Sequence, residues 1–381
     1  MKIKENNCRQ NSFLTSKTWG LHVALVLSVL PFMAPAQTEW LPFTGDVHSW
    51  QTTANWSTGV IPSGMSESVL FGFSPYQNQV ITLDADVTLG SLIFANQAKS
   101  FLLSSNTLTM DNGDNGSLLS NTGAATNVIT SNIVFADGVS NTVAVGDGRL
   151  VLTGIISGSN ELTKTGDGML ILAGAVSNTY TGVITLNGGI TLARPQGNNL
   201  LMLGTTGAGT VVNAGATFAS GNDFSGGAGL QTTEGWGTIN EAFTITGDGY
   251  LRQGAIRKMT GREQDTIGGT VTLDGNARLH ADYGTLALSG AVAIGANTLT
   301  ATGAGGFISL SSSSVAGSGD IVHYGLAGFR LQGNSNTYTG TIKSNLGEIR
   351  ADTGDTTTGN NPYDTIAALD LRNSLLRLKI G

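Results

Sequence analysis

Apolar residues in this chain recur in short pulses of period two, each closed by glycine. Between Ile155 and Ala193 the sequence reads IISGSNELTKTGDGMLILAGAVSNTYTGVITLNGGITLA. Leu170 and Leu172 form one pulse, Ile184 and Leu186 a second, Ile190 and Leu192 a third. Period two marks strands that bury one side. Gly166, Gly168, Gly174, Gly182, Gly188 and Gly189 separate the pulses, as tight corners with positive φ require. Most of the stretch returns at Val315–Ala351 as VAGSGDIVHYGLAGFRLQGNSNTYTGTIKSNLGEIRA. The copies align without a gap from Gly158 and Gly317 to Gly174 and Gly333. One residue is then dropped, and Ser177–Gly182 repeats letter for letter as Ser335–Gly340. This sets His323 opposite Lys164, which reads as a solvated position, and Tyr338 opposite Tyr180. In the second copy Ile349 stands between Glu348 and Arg350, reversing the parity of Ile190 and Leu192 and leaving the register of that strand open.

Strands this short cannot form a stable sheet alone. Stacked as turns of a solenoid, each pairs with the turn above and below, and the inward residues make one continuous core. The pattern therefore predicts an all-β chain, a right-handed parallel β-helix. Pulses at Val80–Leu83, Val87–Leu89, Ser91–Phe94, Phe101–Leu103 and Leu108–Met110 read as early turns, and Ile129–Phe135 and Arg149–Leu152 continue them. Pro195–Thr238 is rich in Gly, Thr and Asn and reads as irregular coils or a longer loop over one face. The pattern recovers over 239–310. At roughly 20 to 30 residues per turn the chain holds on the order of a dozen turns. At about 4.8 Å each, they make a rod roughly 60 Å long.

The two ends differ from this array. Lys2, Lys4, Arg9 and Lys17 precede an apolar run, Leu21–Met33, and then Ala34-Pro35-Ala36 before Gln37. That is the order of a bacterial Sec-type signal peptide over residues 1–36, cleaved between Ala36 and Gln37. Residues 37–75 hold Trp40, Trp50 and Trp56, three of the five tryptophans. They read as an N-terminal aromatic cap over the open end of the solenoid, or as a ligand platform of Trp50 and Trp56. Residues 76–381 are the β-helix proper. They stop at LLRLKIG, in mid-strand by pattern, so the chain reads as truncated, with an open C-terminal turn through which copies self-associate.

Charge changes the picture in one respect. The chain has a formal net charge of −7, and removal of residues 1–36 takes four of its 19 Lys+Arg and one of its 26 Asp+Glu, leaving −10. An acidic exported protein is a poor partner for nucleic acid. The single cysteine, Cys8, lies in the leader, which excludes a disulfide framework or a thiol nucleophile after cleavage. Arg252, Arg257, Lys258 and Arg262 form a basic cluster, with Arg257 and Lys258 its candidates for an anionic polysaccharide or another cell surface.

LTKTGDGMLILAG, NTYTG and NGGITL together resemble the autotransporter-associated β-strand repeat of large secreted bacterial passengers. WQTTANWSTGVIPSGMSESVLFG resembles the segment that often precedes such repeats, and ITLDADVTLGSLIF with NTLTM is similar to the same family. The resemblance covers most of residues 45–381. It makes Leu162, Lys164, Gly166, Gly168, Asn178, Tyr180 and Gly182 motif residues of the first copy, and Asn336, Tyr338 and Gly340 of the second. It implies a passenger exported to the outside of the cell or its surface, and says little about the partner.

Candidate chemistry is sparse. HExxH, GxSxG and the phosphate-binding glycine loop are absent. His48, His280 and His323 are far apart in sequence. Asp147, Asp167 and Asp248 each sit in Gly-Asp-Gly, a corner sequence. Asp111-Asn-Gly-Asp-Asn-Gly looks metal-like but lacks the alternating acids of a calcium loop and reads as an Asx/Gly turn. The expectation is a non-catalytic stalk, adhesin or matrix component, needing no cofactor and, once cleaved, not itself membrane-spanning. Two rivals remain: a β-helix enzyme that degrades polysaccharide with carboxylates from neighbouring turns, and a carbohydrate-binding module.

Overall fold

The computed structural model describes residues 37–42, 44–136, 138–195, 201–221, 238–260, 263–311, 314–332, 336–352 and 366–379. Ala34, Ala36, Arg262 and Gly381 lie outside the described residues. The unit that begins at Pro35 carries everything below.

Short strands pair in parallel with the strand one turn before and one turn after, building a β-solenoid of about 12 turns. Helical geometry among the described residues is confined to three-residue 3-10 turns, at Thr53–Asn55, Gly113–Asn115 and Tyr250–Arg252. None is long and apolar enough to cross a membrane. Three ladders of strands make three faces. The first begins with Thr38–Glu39 and passes through Leu162–Thr165 and Ile184–Leu186 to Thr337–Tyr338. The second begins with Val47–Ser49 and passes through Met169–Leu172 and Gly189–Ala193 to Ala368–Leu371. The third runs from Val87–Leu89 to Ile156–Ser157, then resumes at Thr238–Ile239 and reaches Ser374–Lys379. Between those two runs Thr210–Val212 and Ala216–Ser220 keep the first and second faces continuous through the weakly patterned stretch.

The period-two reading explains the lumen. Leu92, Leu119, Val143, Lys164 and Leu186 pair rung to rung in one inward column. All five are buried, the lysine included. Of the glycines read as positive-φ corners, Gly166 (φ 80) and Gly189 (φ 59) have that backbone. Gly182 serves closeness instead, because a Cβ there would stand 1.8 Å from the Asn160 carbonyl oxygen of the turn before.

One pulse has the opposite parity to that expected. Ile190 and Leu192 pair with Met169 and Ile171, whereas Thr191 and Ala193 pair with the inward Leu170 and Leu172. Ile171 and Leu192 belong to a second apolar cluster with Val151, Ala173, Ala219 and Met259, outside the lumen. Ile349 pairs with Phe329 and is buried in the main core, in the place of Thr191. Glu348 and Arg350 therefore hold the outward positions of Ile190 and Leu192, and the two copies share one register.

The copies do not share a face. Leu162–Thr165 lies on the first face and Met169–Leu172 on the second. Their counterparts Ile321–Gly325 and Gly328–Leu331 lie on the second and third. The second copy is thus turned by one face about the axis, and equivalent side chains cannot stack in one column.

Candidate functional site

The motif residues are internal fasteners. Asn178 Oδ1 accepts the Ile156 N–H at 2.8 Å, and Asn336 Oδ1 accepts the Val315 N–H, the matching bond of the second copy, at 3.0 Å. Tyr180 and Tyr338 are buried. Tyr180 Oη donates to the Asn160 carbonyl, and Tyr338 Oη donates to the Thr341 carbonyl at 2.9 Å while accepting the Ile321 N–H at 3.1 Å. Neither phenol is offered to a ligand.

Lys164 and His323 correct the expectation of a solvated position. Both are buried, because each stands two residues beyond an inward Leu162 or Ile321. Lys164 Nζ donates to the carbonyls of Gly166, Gly168 and Gly188 at 2.6, 2.8 and 2.6 Å, a full set of acceptors for an ammonium group. Burial pulls its pKa down to about 8, against the opposing pull of Asp167. His323 Nε2 donates to the Ala327 carbonyl at 2.6 Å, and Nδ1 accepts from Ser344 Oγ at 3.0 Å. Burial lowers its pKa, so the ring is neutral.

Trp50 and Trp56 also leave the list of surface candidates, since both are buried. Trp56 meets Trp50 edge-on at 4.5 Å and Trp40 at 4.8 Å between ring centroids. Their indole N–H groups donate to the Pro62 carbonyl (3.0 Å) and the Trp50 carbonyl (2.8 Å). Large rings with a single donor each are satisfied by such a site, and present no face to a sugar.

The basic cluster is dispersed and neutralised. Lys258 points into the lumen and pairs with Asp265 at 3.2 Å, both side chains fully buried. It is no part of a surface. Arg257 points outward and holds Asp282 through Nε at 3.0 Å and Nη2 at 2.7 Å. Arg252 faces Asp248, which also pairs with Arg278. Asp147 and Asp167 are exposed corners. The Asp111 run is an Asx turn, with Asp111 Oδ1 accepting the Gly113 N–H at 2.9 Å. Among the described residues no three His, Cys, Asp or Glu side chains gather as metal ligands.

Around Arg257 the outward side of the second face brings together the groups that most resemble a catalytic array. Arg257, His280 and Thr302 stand on successive rungs. Asp282 Oδ1 meets His280 Nε2 at 2.9 Å, and His280 Nδ1 meets Thr302 Oγ1 at 2.9 Å. Burial raises the Asp282 pKa, but hydrogen bonds from His280 and Arg257 and the Arg257 charge bring it below the usual range. The order carboxylate, imidazole, hydroxyl is that of a proton relay. Thr302, however, is 4% exposed and its hydroxyl also reaches the Leu279 carbonyl at 3.3 Å. A covered hydroxyl cannot attack a polymer, and the array ties neighbouring turns together.

Glu241, just beyond Thr238–Ile239, is a buried carboxylate. Oε1 accepts from Thr210 Oγ1 at 3.0 Å, and Oε2 has no hydrogen-bond partner among the described residues. Burial raises its pKa to about 7, the Thr210 hydrogen bond opposing.

Sequence reasoning missed a row of arginines on the third face. Arg330, Arg350 and Arg377 are 20 and 27 positions apart, and pair as consecutive rungs. Their chain neighbours Phe329 and Ile349 point into the core, so Arg330 and Arg350 point out, and Arg377 follows Arg350 in the same column. Glu348 Oε1 accepts from Arg350 Nε at 2.7 Å and faces Arg377 Nε at 3.1 Å. The Arg350 guanidinium lies 4.2 Å from the Phe307 ring centroid, and that of Arg330 lies 5.7 Å from it. The Arg350 hydrogen bond, then the charges of Arg350, Arg377 and Arg330, hold the Glu348 carboxyl below its usual pKa despite some desolvation. The available signal was parity: each arginine neighbours an inward apolar residue one turn from the last.

No family model, no curated protein and no solved structure matches this chain.

Proposed function

We propose that the chain is an exported, non-catalytic β-helical element, a stalk, adhesin or matrix component displayed at or beyond the cell surface. The observation that carries this reading is where the reactive groups lie. Lys164, His323 and the Lys258–Asp265 pair face the lumen, where they fasten turns to one another. The outward Asp282–His280–Thr302 array has its hydroxyl covered. A parallel ladder that continues from turn to turn suits an extended scaffold, whose length grows with each repeat. The likeness of the 155–193 stretch to autotransporter-associated repeats supports export, as does the charge and apolar order of residues 1–36. Trp40, Trp50 and Trp56, packed against Phe71 of the first face, serve as the cover of the first turns.

Expression of the full chain in a Gram-negative host, followed by fractionation and N-terminal sequencing, tests this. The expected product is exported and begins at Gln37. Incubated with pectin, alginate or xylan, it releases no reducing ends or unsaturated products. Retention in the cytoplasm with an intact leader contradicts export, and turnover lost on Asp282→Asn contradicts the non-catalytic reading.

A further inference from the structure

We propose that Arg330, Arg350 and Arg377 form a binding strip for a linear polyuronate, a polysaccharide carrying one carboxylate per sugar. The strip is independent of whether the chain is exported.

Three observations meet here. First, the arginines stand on consecutive rungs of a parallel ladder, so their Cα atoms repeat at about 4.8 Å along the axis. A rigid ladder holds that spacing without the ordering cost that three arginines on a loop would bear.

Second, the row already displays its own specificity. Glu348 places a carboxylate between the guanidiniums of two neighbouring rungs, at 2.7 Å from Arg350 and 3.1 Å from Arg377. Planar guanidinium forks match carboxylate geometry, and such charge-assisted bonds are among the stronger ones. A uronate carboxylate reaching the row meets the same pair of forks.

Third, the central arginine is held ready. Gly328 lies between Phe307 and Glu348 on the outward side. A Cβ there would fall 2.0 Å from Phe307 Cε1, so the missing side chain lets the ring lie against the sheet. Arg350 rests on that ring while Glu348 fixes its Nε. Two of the three side chains are open to solvent, Arg350 at 30% and Arg377 at 62%, while Arg330 Nε is buried at the inner end of the row.

Charge density favours a polyuronate over nucleic acid. Duplex DNA carries a charge every ~1.7 Å, far denser than one cation per rung, and the chain's net charge of −7 opposes so dense a polyanion. A single polysaccharide strand with one carboxylate per sugar carries a far sparser charge, closer to that of the row.

The test measures binding of the full chain to polygalacturonate by isothermal titration at low salt, with neutral dextran and duplex DNA as comparison ligands. Polygalacturonate binds, dextran does not, and added salt weakens the complex. Arg350→Gln and the exposed Arg377→Gln each weaken binding about ten-fold, the loss of one charge-assisted contact. Arg252→Gln, at the distant Asp248 pair, leaves it unchanged. Glu348→Gln removes the internal competitor and strengthens binding several-fold, which a merely structural role for the row would not do. Absence of polygalacturonate binding, binding indifferent to Arg350→Gln and Arg377→Gln, or weaker binding on Glu348→Gln overturns the proposal. Row-dependent binding to DNA but not to polygalacturonate overturns the carbohydrate assignment.

Discussion

Lys164 and His323 hold the same place in the two repeat copies, and each donates to the carbonyl four residues ahead: Lys164 Nζ to Gly168 at 2.8 Å, His323 Nε2 to Ala327 at 2.6 Å. The repeat thus keeps a buried donor that closes the corner beyond its strand, and varies its chemistry. Lys164 reaches further, to Gly188 of the next turn, where His323 instead takes the hydroxyl of Ser344.

Lys164→Met takes the ammonium donor away from the carbonyls of Gly166, Gly168 and Gly188. Even with the buried charge gone, it is expected to destabilise the chain by about 2 kcal/mol at neutral pH, read from urea unfolding. The folded pKa, about 8, lies below the ordinary 10.5, so between those values the unfolded chain binds the proton more readily. Wild-type stability therefore gains a contribution from this group as pH rises through that window, and the variant lacks it.

Glu241 works with the opposite sign. Its folded pKa of about 7 lies above the ordinary 4.5, so its contribution is full below about pH 4.5 and is lost as pH rises to about 7. Glu241→Gln keeps an acceptor for Thr210 and removes the charge. The variant is expected to be more stable than wild type at pH 8, by on the order of 2 kcal/mol, and equal to it at pH 4. Thermal melts at the two pH values check this.

His323 makes the chain sensitive to acid. A ring held neutral by burial resists protonation, while the unfolded chain accepts the proton from about pH 6.5 downward. Stability contributed by this group falls as pH drops through that range. Histidine NMR should show the His323 ring titrating at lower pH than an exposed histidine; a ring that takes its proton at higher pH would contradict its burial.

Trp50→Ala and Trp56→Ala are stability variants, with no direct role in binding. Each removes a fully packed ring and is expected to cost about 3 to 5 kcal/mol in urea unfolding. If either instead unfolds like wild type but loses affinity for a glycan, the buried cluster is misplaced.

Much of this was legible in the sequence, because one rule governs it. Alternating apolar residues such as Leu170 and Leu172 announce a buried side, and repetition announces stacking. The same rule placed Lys164 and Lys258 inside, two residues beyond Leu162 and Ile256, but a lysine's charge argues for water when its carbonyl partners are unseen. Ile190 and Leu192 misled for a different reason. Their strand is apolar on both sides, since Leu192 packs in a cluster outside the lumen, and period two cannot then tell in from out. The arginine row escaped notice because turn lengths vary, so residues 20 and 27 apart show no fixed period until the rungs are paired.

The fold stands on the register of its rungs, and Thr163 with Thr185 tests it most directly. They pair across adjacent turns of the first face, within strands Leu162–Thr165 and Ile184–Leu186. Neighbouring strands about 4.8 Å apart lie within disulfide reach. In a Cys8→Ser chain carrying Thr163→Cys and Thr185→Cys, mild oxidation is expected to close an intramolecular disulfide in nearly all molecules, with the β spectrum unchanged. Thr163→Cys with Val183→Cys, two positions out of register, should close far more slowly. The reverse order of rates, or cross-linking only between molecules, would contradict the stacked parallel turns.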